Sequence, residues 1–411
     1  MRATLRHHVP HRLFRAAPWL VVLAVAATSS LSAWRSPVWW AADPDSLYFQ
    51  AKVLKFRGQN ERVALHRLFA GPEGSELREI EARAHPIHPQ FTNPHWIDYT
   101  SRFFQRRVFV PLLAAAVYPL FGERSLLNVS LVGYLLLSLT LYALLRRRFS
   151  STTSVVATCV CILSPPVRRH SLVPMSDSWS ILLETCALLA AVLALERRTR
   201  WLAAWMVALA AASFTRDVTI VPLVAVLGLV LHPRFRRQSL LLVGTGIAAV
   251  LPAYLAYGNT SIRENLAYVF NASNPPPDSS WGFVRHHYLP NLRVFGRHDL
   301  HYGTGLGWEA PLWYFGLVLV AVGAILLIRR ASRGDAFFLV QAYAIIGAGI
   351  FVGLYDSYSA FREELAFLPP VAVSLALVMR QVELRLRGVV QVPAWFPGRI
   401  RAVDGARTVA R

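Results

Sequence analysis

Carboxylate and guanidinium groups stand at the ends of apolar segments in this sequence, and they are its first candidates for chemistry. The chain has only 23 acidic residues among 411. Two of them, Asp43 and Asp45, follow the first apolar segment in WWAADPDSLYFQ. Ionisable groups close to hydrocarbon are costly to place and are therefore functional candidates. If the apolar segments form a bundle, several such groups meet around one outward-facing cavity. The other candidates at such ends are Asp177, Arg216, Asp217, Asp356, Arg362, Glu363 and Glu364.

The aspartates also have a purely structural interpretation, which is helix capping. A helix that begins near Ser46 can use Asp43 or Asp45 as its N-cap, because a carboxylate accepts hydrogen bonds from the first free amide groups. Asp177 stands in the same position before a later apolar segment. Capping and function stay open for these three residues.

The arginines have a structural alternative in local ion pairs. Arg216 and Asp217 are neighbours in FTRD and can pair within a tight turn. Arg362 can pair with Asp356 or Glu363 in YDSYSAFREE. Spacing along the chain does not choose between these pairs and a shared site.

Glu184 is the one acid placed deep within an apolar segment. It follows Asp177 by two helical turns along the same face, so its side chain is expected to point into a bundle of helices. There it can bond a serine or threonine of a neighbouring helix in its protonated form, or take part in chemistry.

The composition is that of a membrane protein. Hydrophobic residues make up 55% of the chain and charged residues 16%, whereas about a quarter of an ordinary soluble protein is charged. Apolar runs recur between arginine, proline and glycine, and such runs predict membrane-spanning helices. We predict an all-α polytopic membrane protein with about ten transmembrane helices, near 16–33, 126–145, 153–167, 178–195, 201–214, 218–231, 239–257, 311–328, 336–354 and 365–380.

The arginines predict the orientation, because positively charged residues mark the cytoplasmic side of a membrane. With the N-terminus inside, the short inner loops RRRFSS, ERRTR, HPRFRRQ and RRASRGD hold twelve arginines. The short outer loops hold only Arg168, Arg169, Arg216 and Arg362. The C-terminus is then also cytoplasmic. Two long extracytoplasmic loops, 34–107 and 258–310, are expected to carry interfacial helices.

Two further segments complete this prediction. The short apolar segment 108–122 contains Pro111 and Pro119 and is placed at the outer interface. Residues 1–381 are predicted to form one transmembrane domain, and 382–411 a basic cytoplasmic tail that lies against anionic lipid.

Other classes of protein are disfavoured. The net charge of +20 is explained by cytoplasmic topology signals, and nucleic-acid binding would need a basic face on a soluble module. The cysteines, Cys159, Cys161 and Cys186, lie in apolar runs, which argues against a disulfide framework and a zinc site. The motifs HPIH and RHDLH have loose ligand-like spacing but match no closed metal motif.

The order of the motifs resembles the GT-C superfamily of integral-membrane glycosyltransferases. The acidic pair in DPDSLYFQAKVLKFRG is similar to the paired acids that follow the first span in that superfamily. QRRVFVPLLAAAVYPLFG is similar to its arginine and proline-containing juxtamembrane helix. FTRDVTIVPLVAVL and FREELAFLPPVAVSLAL are similar to the turn before a later span and to the final span. The resemblance covers most of the chain and rests on the ordered series, since each motif is short.

The resemblance implies transfer of a sugar from a polyprenyl-phosphate donor, with inversion, on the extracytoplasmic face. It implies that Asp43 is the general base for the acceptor hydroxyl and that Asp45 orients the acceptor or assists with a metal. Pro44 separates the two acids, which leaves the choice of base open. Asp177 and Glu184 are candidate acceptor-binding or supporting residues.

The resemblance also implies that Arg107, Arg216 or Arg362 holds the donor phosphate, a role that suits the planar fork of arginine. The expected partners are a polyprenyl-phosphate-sugar lipid, an acceptor that is a glycan, lipid or protein, and membrane lipids, without nucleic acid. The expected location is the plasma (inner) membrane of a bacterium. No cofactor is assigned, and a divalent metal is left open.

Two other functions compete with this one. A transporter or flippase of lipid-linked glycans needs polar residues through the whole depth of the bundle, and the placement of Glu184 as the one deep acid disfavours it. A non-catalytic partner of a membrane enzyme would tolerate neutralisation of the outer acids and arginines.

Overall fold

The predicted apolar segments are helices in the computed structural model of the protein. The structure describes residues 11–35, 44–75, 77–79, 92–196, 200–257, 310–355, 362 and 364–389, together with Gly282, Arg285, His286, Pro290 and Arg293. This part of the chain is helical and contains no strand. Its helices are α1 (His11–Arg35), α2 (Asp45–Phe56), α3 (Glu61–Ala70), α4 (Pro94–Ser101), α5 (Phe109–Phe121), α6 (Ser125–Leu145), α7 (Ser151–Leu163), α8 (Pro165–Ser171), α9 (Asp177–Glu196), α10 (Trp201–Ser213), α11 (Ile220–Gly228), α12 (Arg236–Tyr257), α13 (Ala310–Ala331), α14 (Ala336–Tyr355) and α15 (Leu368–Val389).

The chain is a multi-pass membrane protein. Each of the ten predicted segments coincides with an apolar helix, although α7 ends before Pro165 and α15 continues to Val389. Among the described residues, seven stretches are long and apolar enough to cross a membrane. The number of crossings stays a prediction, because the helices near 151–163, 201–213 and 217–231 are shorter. The seven stretches are Ala16–Arg35, Phe109–Leu145, Asp177–Glu196, Arg236–Tyr257, Tyr314–Ala331, Ala336–Leu354 and Glu364–Leu386.

Helices α2 to α5 lie at one end of the bundle, which we refer to as the upper end. The first turns of α6 and α9 meet there, because Ser178 Oγ donates to the Ser130 carbonyl at 2.8 Å and Trp179 Nε1 to the Val129 carbonyl at 2.7 Å. In the orientation predicted from arginine, the upper end faces outside. The predicted loop 34–107 thus supplies α2, α3 and α4, whereas most of the loop 258–310 lies outside the described residues.

Helix α5 has both of its ends at the upper end. The Phe109 amide donates to the Phe214 carbonyl, just after α10, at 3.1 Å. At its other end Gly122 takes a φ of +55°, a left-handed conformation that favours glycine, and the chain turns into α6. This break divides the apolar stretch 109–145 into two helices that pack on each other. The placement of this segment at the outer interface of the membrane stays a prediction.

Acidic residues tie the inner-loop arginines to the lower end of the bundle. Arg147 Nη2 lies 2.6 Å from Glu196 Oε2, so the end of α6 is joined to the end of α9. Arg148 also contacts Glu196, and its Nε lies 3.1 Å from Asp335 Oδ2, just before α14. These arginines were interpreted from the sequence as topology signals. They also connect the ends of α6 and α9 to the start of α14.

Small residues let the helices approach closely, as is usual in membrane bundles. Helices α13 and α15 pack together, and a Cβ added at Gly323 would lie 2.4 Å from the Ser374 carbonyl oxygen. A backbone carbonyl cannot rotate away as a side chain can. The contact therefore requires glycine at this position.

Replacement of Gly323 by alanine is expected to lower the stability of the protein by about 1–3 kcal/mol, because the added methyl group overpacks this contact. Thermal unfolding of the purified protein in detergent measures the effect. Gly316→Ala in the same helix is the matched control, since a Cβ there meets no atom within 4 Å. Equal melting temperatures for the two variants would contradict the prediction.

Candidate functional site

The first turn of α2 presents Asp45 to two arginines. Asp45 Oδ2 lies 2.6 Å from Arg362 Nη1 and 3.9 Å from Arg107 Nη1. The interpretation of Asp45 as the N-cap is wrong, because Pro44 occupies the N-cap position. Asp43, the other candidate base, lies outside the described residues. The structure therefore brings Asp45 into a charged cluster with arginines that are distant in sequence.

Asp177, the first residue of α9, is the buried centre of this cluster. Its carboxylate receives two hydrogen bonds from Arg362, Nε to Oδ1 and Nη2 to Oδ2, each of 3.1 Å. Arg216 Nη1 also donates to Oδ1. The Asp177 side chain is 1% exposed, and those of Arg216 and Arg362 are 7% and 6% exposed. The Asp177 carboxylate thus serves as the shared partner of two arginines.

Five residues from five places in the chain therefore form one site, which we call the arginine cluster: Asp45, Arg107, Asp177, Arg216 and Arg362. All three predicted phosphate-binding arginines belong to it. The pKa of Arg107 is lowered to about 10, because burial disfavours its charge and the neighbouring Arg216 and Arg362 repel it. Arg107 therefore still carries its charge at neutral pH. Asp356 and Glu363, the alternative partners of Arg362, lie outside the described residues.

Aromatic packing holds Arg107 in place. Its guanidinium lies 4.8 Å from the centroid of the Phe104 ring, a cation–π arrangement. Phe104 in turn stacks on Tyr48 of α2, with ring centroids 4.5 Å apart and nearly parallel planes. The Tyr48 hydroxyl forms a hydrogen bond with Thr100 of α4. Helices α2 and α4 thus fix the arginine that faces Asp45.

A second ion pair lies directly beside the arginine cluster. Arg106 contacts Asp217 Oδ1 and lies over the ring of Tyr254, 3.9 Å from its centroid. The Tyr254 hydroxyl donates to the same Asp217 oxygen at 2.6 Å. The alternative interpretation, a local ion pair between Arg216 and Asp217, is wrong, because Arg216 pairs with Asp177 instead. Sequence reasoning missed Arg106 and Tyr254; the arginine doublet in QRRVFV was the available signal for the first.

Glu184 does not join the arginine cluster. It lies seven residues further along α9, about 10 Å deeper in the bundle, and is 0% exposed. Neither carboxyl oxygen has a hydrogen-bond partner in the described part of the chain, so the expected serine or threonine bond is absent there. A role for Glu184 in supporting the site stays a prediction.

Lys52 is a buried residue that sequence reasoning did not select. It lies two turns after Asp45 on the same face of α2, and its Nζ is 2.8 Å from Glu61 Oε1 of α3. Burial lowers the pKa of Lys52, against the opposing attraction of Glu61. The pair joins α2 to α3 behind the arginine cluster. Lysine is rare in this sequence, because Lys52 and Lys55 are the only lysines, and this rarity was the available signal for Lys52.

The described residues do not favour a metal ion at this site. In the described part of the chain, no group of three or more histidine, cysteine, aspartate or glutamate side chains could hold a metal ion. Asp98, which follows the HPIH motif in the sequence, contacts Arg62 at 2.6 Å and His66 at 2.9 Å. Asp45 faces two guanidiniums, which oppose a divalent cation. His85, His88 and the RHDLH motif lie outside the described residues.

Part of the sequence matches a known family. Residues 107–257 match the family model described as dolichyl-phosphate-mannose-protein mannosyltransferase (PMT_2). This stretch contains three members of the arginine cluster: Arg107, Asp177 and Arg216. A comparison with curated proteins finds no match.

The fold is similar to that of ArnT from Cupriavidus metallidurans. One crystal structure of ArnT, bound to undecaprenyl phosphate, aligns with a TM-score of 0.51 at 14% sequence identity and covers 91% of this chain. A second, in the apo state, aligns with a TM-score of 0.51 at 16% identity and also covers 91%. This chain spans 63% and 62% of those two chains. Together, the shared fold and the family match confirm the resemblance to the GT-C superfamily.

Proposed function

We propose that this protein is a membrane glycosyltransferase that moves a sugar from a polyprenyl-phosphate donor to an acceptor at the upper end, with inversion. One observation carries the proposal. Arg107, Arg216 and Arg362 converge with two aspartates at the upper end of an apolar bundle. A lipid-borne phosphate and a water-borne acceptor can both reach such a place. The family match and the ArnT-like fold support the same reaction class.

The arginines would bind the donor phosphate. When the bond between the anomeric carbon and the phosphate oxygen breaks, that oxygen keeps the electron pair and the leaving phosphate gains negative charge. Guanidiniums aimed at this charge stabilise the transition state more than the ground state. Arg107 is the best placed to turn to a phosphate, because its 3.9 Å contact with Asp45 is the loosest ion pair of the cluster.

The acceptor would be activated by a carboxylate of the acidic pair. The base takes the proton of the acceptor hydroxyl, whose oxygen then bonds to the anomeric carbon on the face opposite the phosphate. We assign this role to Asp43. An oxygen of Asp45 already contacts Arg362 closely, so we assign Asp45 the positioning of the arginines. Pro44 separates the two acids in the sequence, and its ring fixes the backbone at the start of α2.

The decisive test is transfer by the purified full chain in liposomes that contain an undecaprenyl-phosphate-linked sugar. We expect loss of the donor, release of undecaprenyl phosphate and a glycosylated product with inverted anomeric configuration, detected by mass spectrometry and NMR. Movement of the intact lipid-linked sugar across the bilayer without transfer would contradict the proposal and would favour a flippase.

Binding of undecaprenyl phosphate is expected to weaken as the pH rises through about 10, the pKa of Arg107. Above that pH the free protein has lost the Arg107 proton, whereas the bound phosphate requires it. Binding then takes up a proton, and the affinity falls by up to about tenfold per pH unit. Titration between pH 8 and 11 measures it. Arg107→Gln should lack this step, and an identical pH profile in that variant would contradict the assignment.

A further inference from the structure

A cavity of about 960 Å³ opens beside α2, on the side of the helix away from Asp45. Ser46, Gln50 and Leu54 line it, and their spacing of four residues places them on one face. Asp45 and Lys52 occupy the opposite face. The other walls are α3 with the turn that follows it, and the corner between α5 and α6. The volume is in the range of pockets that hold small ligands.

The polar lining of the cavity favours an uncharged ligand. It contains the amides Gln50 and Gln59, and Arg67 Nη2 donates to Gln59 Oε1 at 2.9 Å. Amides offer both donors and acceptors, as hydroxyl groups require. The charged side chains balance, because two arginines face two glutamates. These are Arg67, Arg124, Glu73 and Glu123.

Aromatic side chains line the α5–α6 corner of the cavity. Tyr118 and Phe121 lie there, and Phe121 is 51% exposed. An apolar ring beside hydrogen-bonding side chains suits a pyranose, whose C–H face is apolar and whose rim carries hydroxyl groups. The neighbouring Leu120 is 79% exposed at the end of α5. The polar cavity thus opens beside an apolar surface at the edge of the bundle.

We infer that this cavity binds a neutral saccharide and that the saccharide is the acceptor. Its role as acceptor rests on the proposed function, whereas its binding does not. The two sites are adjacent, because Asp45 belongs to the arginine cluster and the next residue, Ser46, lines the cavity. The first turn of α2 thus separates a phosphate site from a sugar site. Ser46 is therefore the part of the cavity wall that adjoins Asp45 along the chain.

Binding measurements on the full chain in nanodiscs test the inference. The probes are a panel of neutral oligosaccharides of hexoses and pentoses, and undecaprenyl phosphate, each measured separately. The intact chain is expected to bind at least one neutral oligosaccharide. Gln50→Trp fills the cavity and should weaken that binding by about tenfold or more, while undecaprenyl phosphate binding stays within twofold.

Two further variants keep the result interpretable. Gln59→Trp blocks the same cavity from an exposed position, where a large side chain cannot disturb the core. Arg107→Gln is the reciprocal control and should weaken undecaprenyl phosphate binding but leave the oligosaccharide unaffected. Thermal unfolding identifies any variant that fails to fold.

The outcomes separate this inference from the proposed function. Oligosaccharide binding that is absent from the intact chain, or unchanged in both tryptophan variants, overturns the inference. Failure of undecaprenyl phosphate to bind the intact chain overturns the proposed donor instead. Saccharide binding that is lost in the tryptophan variants, together with transfer to the same saccharide, establishes the cavity as the acceptor site.

Discussion

Arg362→Gln is expected to lower the rate of sugar transfer by about 10³-fold or more, because Arg362 joins the two carboxylates of the arginine cluster. Its guanidinium donates twice to Asp177 and lies 2.6 Å from Asp45. Glutamine offers neither the charge nor the planar fork that makes these contacts together. Both the charge opposite the leaving phosphate and the position of Asp45 are therefore lost.

This variant is also expected to lose stability, because Asp177 is buried and keeps only Arg216 among its described arginine partners. Removal of one partner of a buried ion pair costs about 3–5 kcal/mol. Donor turnover per folded molecule, with thermal unfolding measured in parallel, separates the two effects. Arg362→Lys keeps the charge and should retain part of both, and the exposed Arg333→Gln is the neutral control. Transfer at the normal rate by folded Arg362→Gln would remove the arginine cluster from the mechanism.

Asp43→Asn and Asp45→Asn are expected to fail in different ways. Loss of the general base in Asp43→Asn should lower the turnover number by about 10³–10⁴-fold while undecaprenyl phosphate still binds. In Asp45→Asn, Arg362 loses the carboxylate that lies 2.6 Å from its Nη1, so both the turnover number and the affinity for the donor should change. Single-turnover transfer and lipid binding, measured on both variants, distinguish the two roles.

The opposite pattern has an equally clear meaning. Unchanged donor binding with abolished transfer in Asp45→Asn, and nearly normal transfer in Asp43→Asn, would make Asp45 the base. Asp45 is 19% exposed in its side chain, and in this variant Arg362 keeps its two hydrogen bonds to Asp177. Nearly normal transfer in both variants would leave the acidic pair without a catalytic role.

The class of fold and the members of the cluster were predictable from the sequence, for different reasons. Long apolar runs have few structural solutions in a bilayer, so the helices followed from hydropathy. Arg107 was selected by resemblance to a family, and Arg216 and Arg362 also by their place at the ends of apolar segments. Costly charges in such places are functional candidates, so the sequence predicted that several of them meet around one cavity.

The partners within the cluster were not predictable from the sequence. Arg216 is adjacent to Asp217, yet it pairs with Asp177, which lies 39 residues earlier in the chain. Backbone direction, not distance along the chain, decides which side chains meet at a helix end. Lys52 and the cavity beside α2 were also missed. Both depend on how α2 packs against α3 and α5, which spacing along the chain does not show.

The crossed pairing of two charged doublets restricts how the chain can change in length. Arg106 and Arg107 are neighbours, as are Arg216 and Asp217, but each doublet divides its charges between two different partners. Deletion or insertion of one residue between Phe104 and Phe109 would shift the two arginines relative to the helices that flank them and disturb their contacts with Asp217 and Asp45. Length variation among related chains should therefore avoid this short stretch.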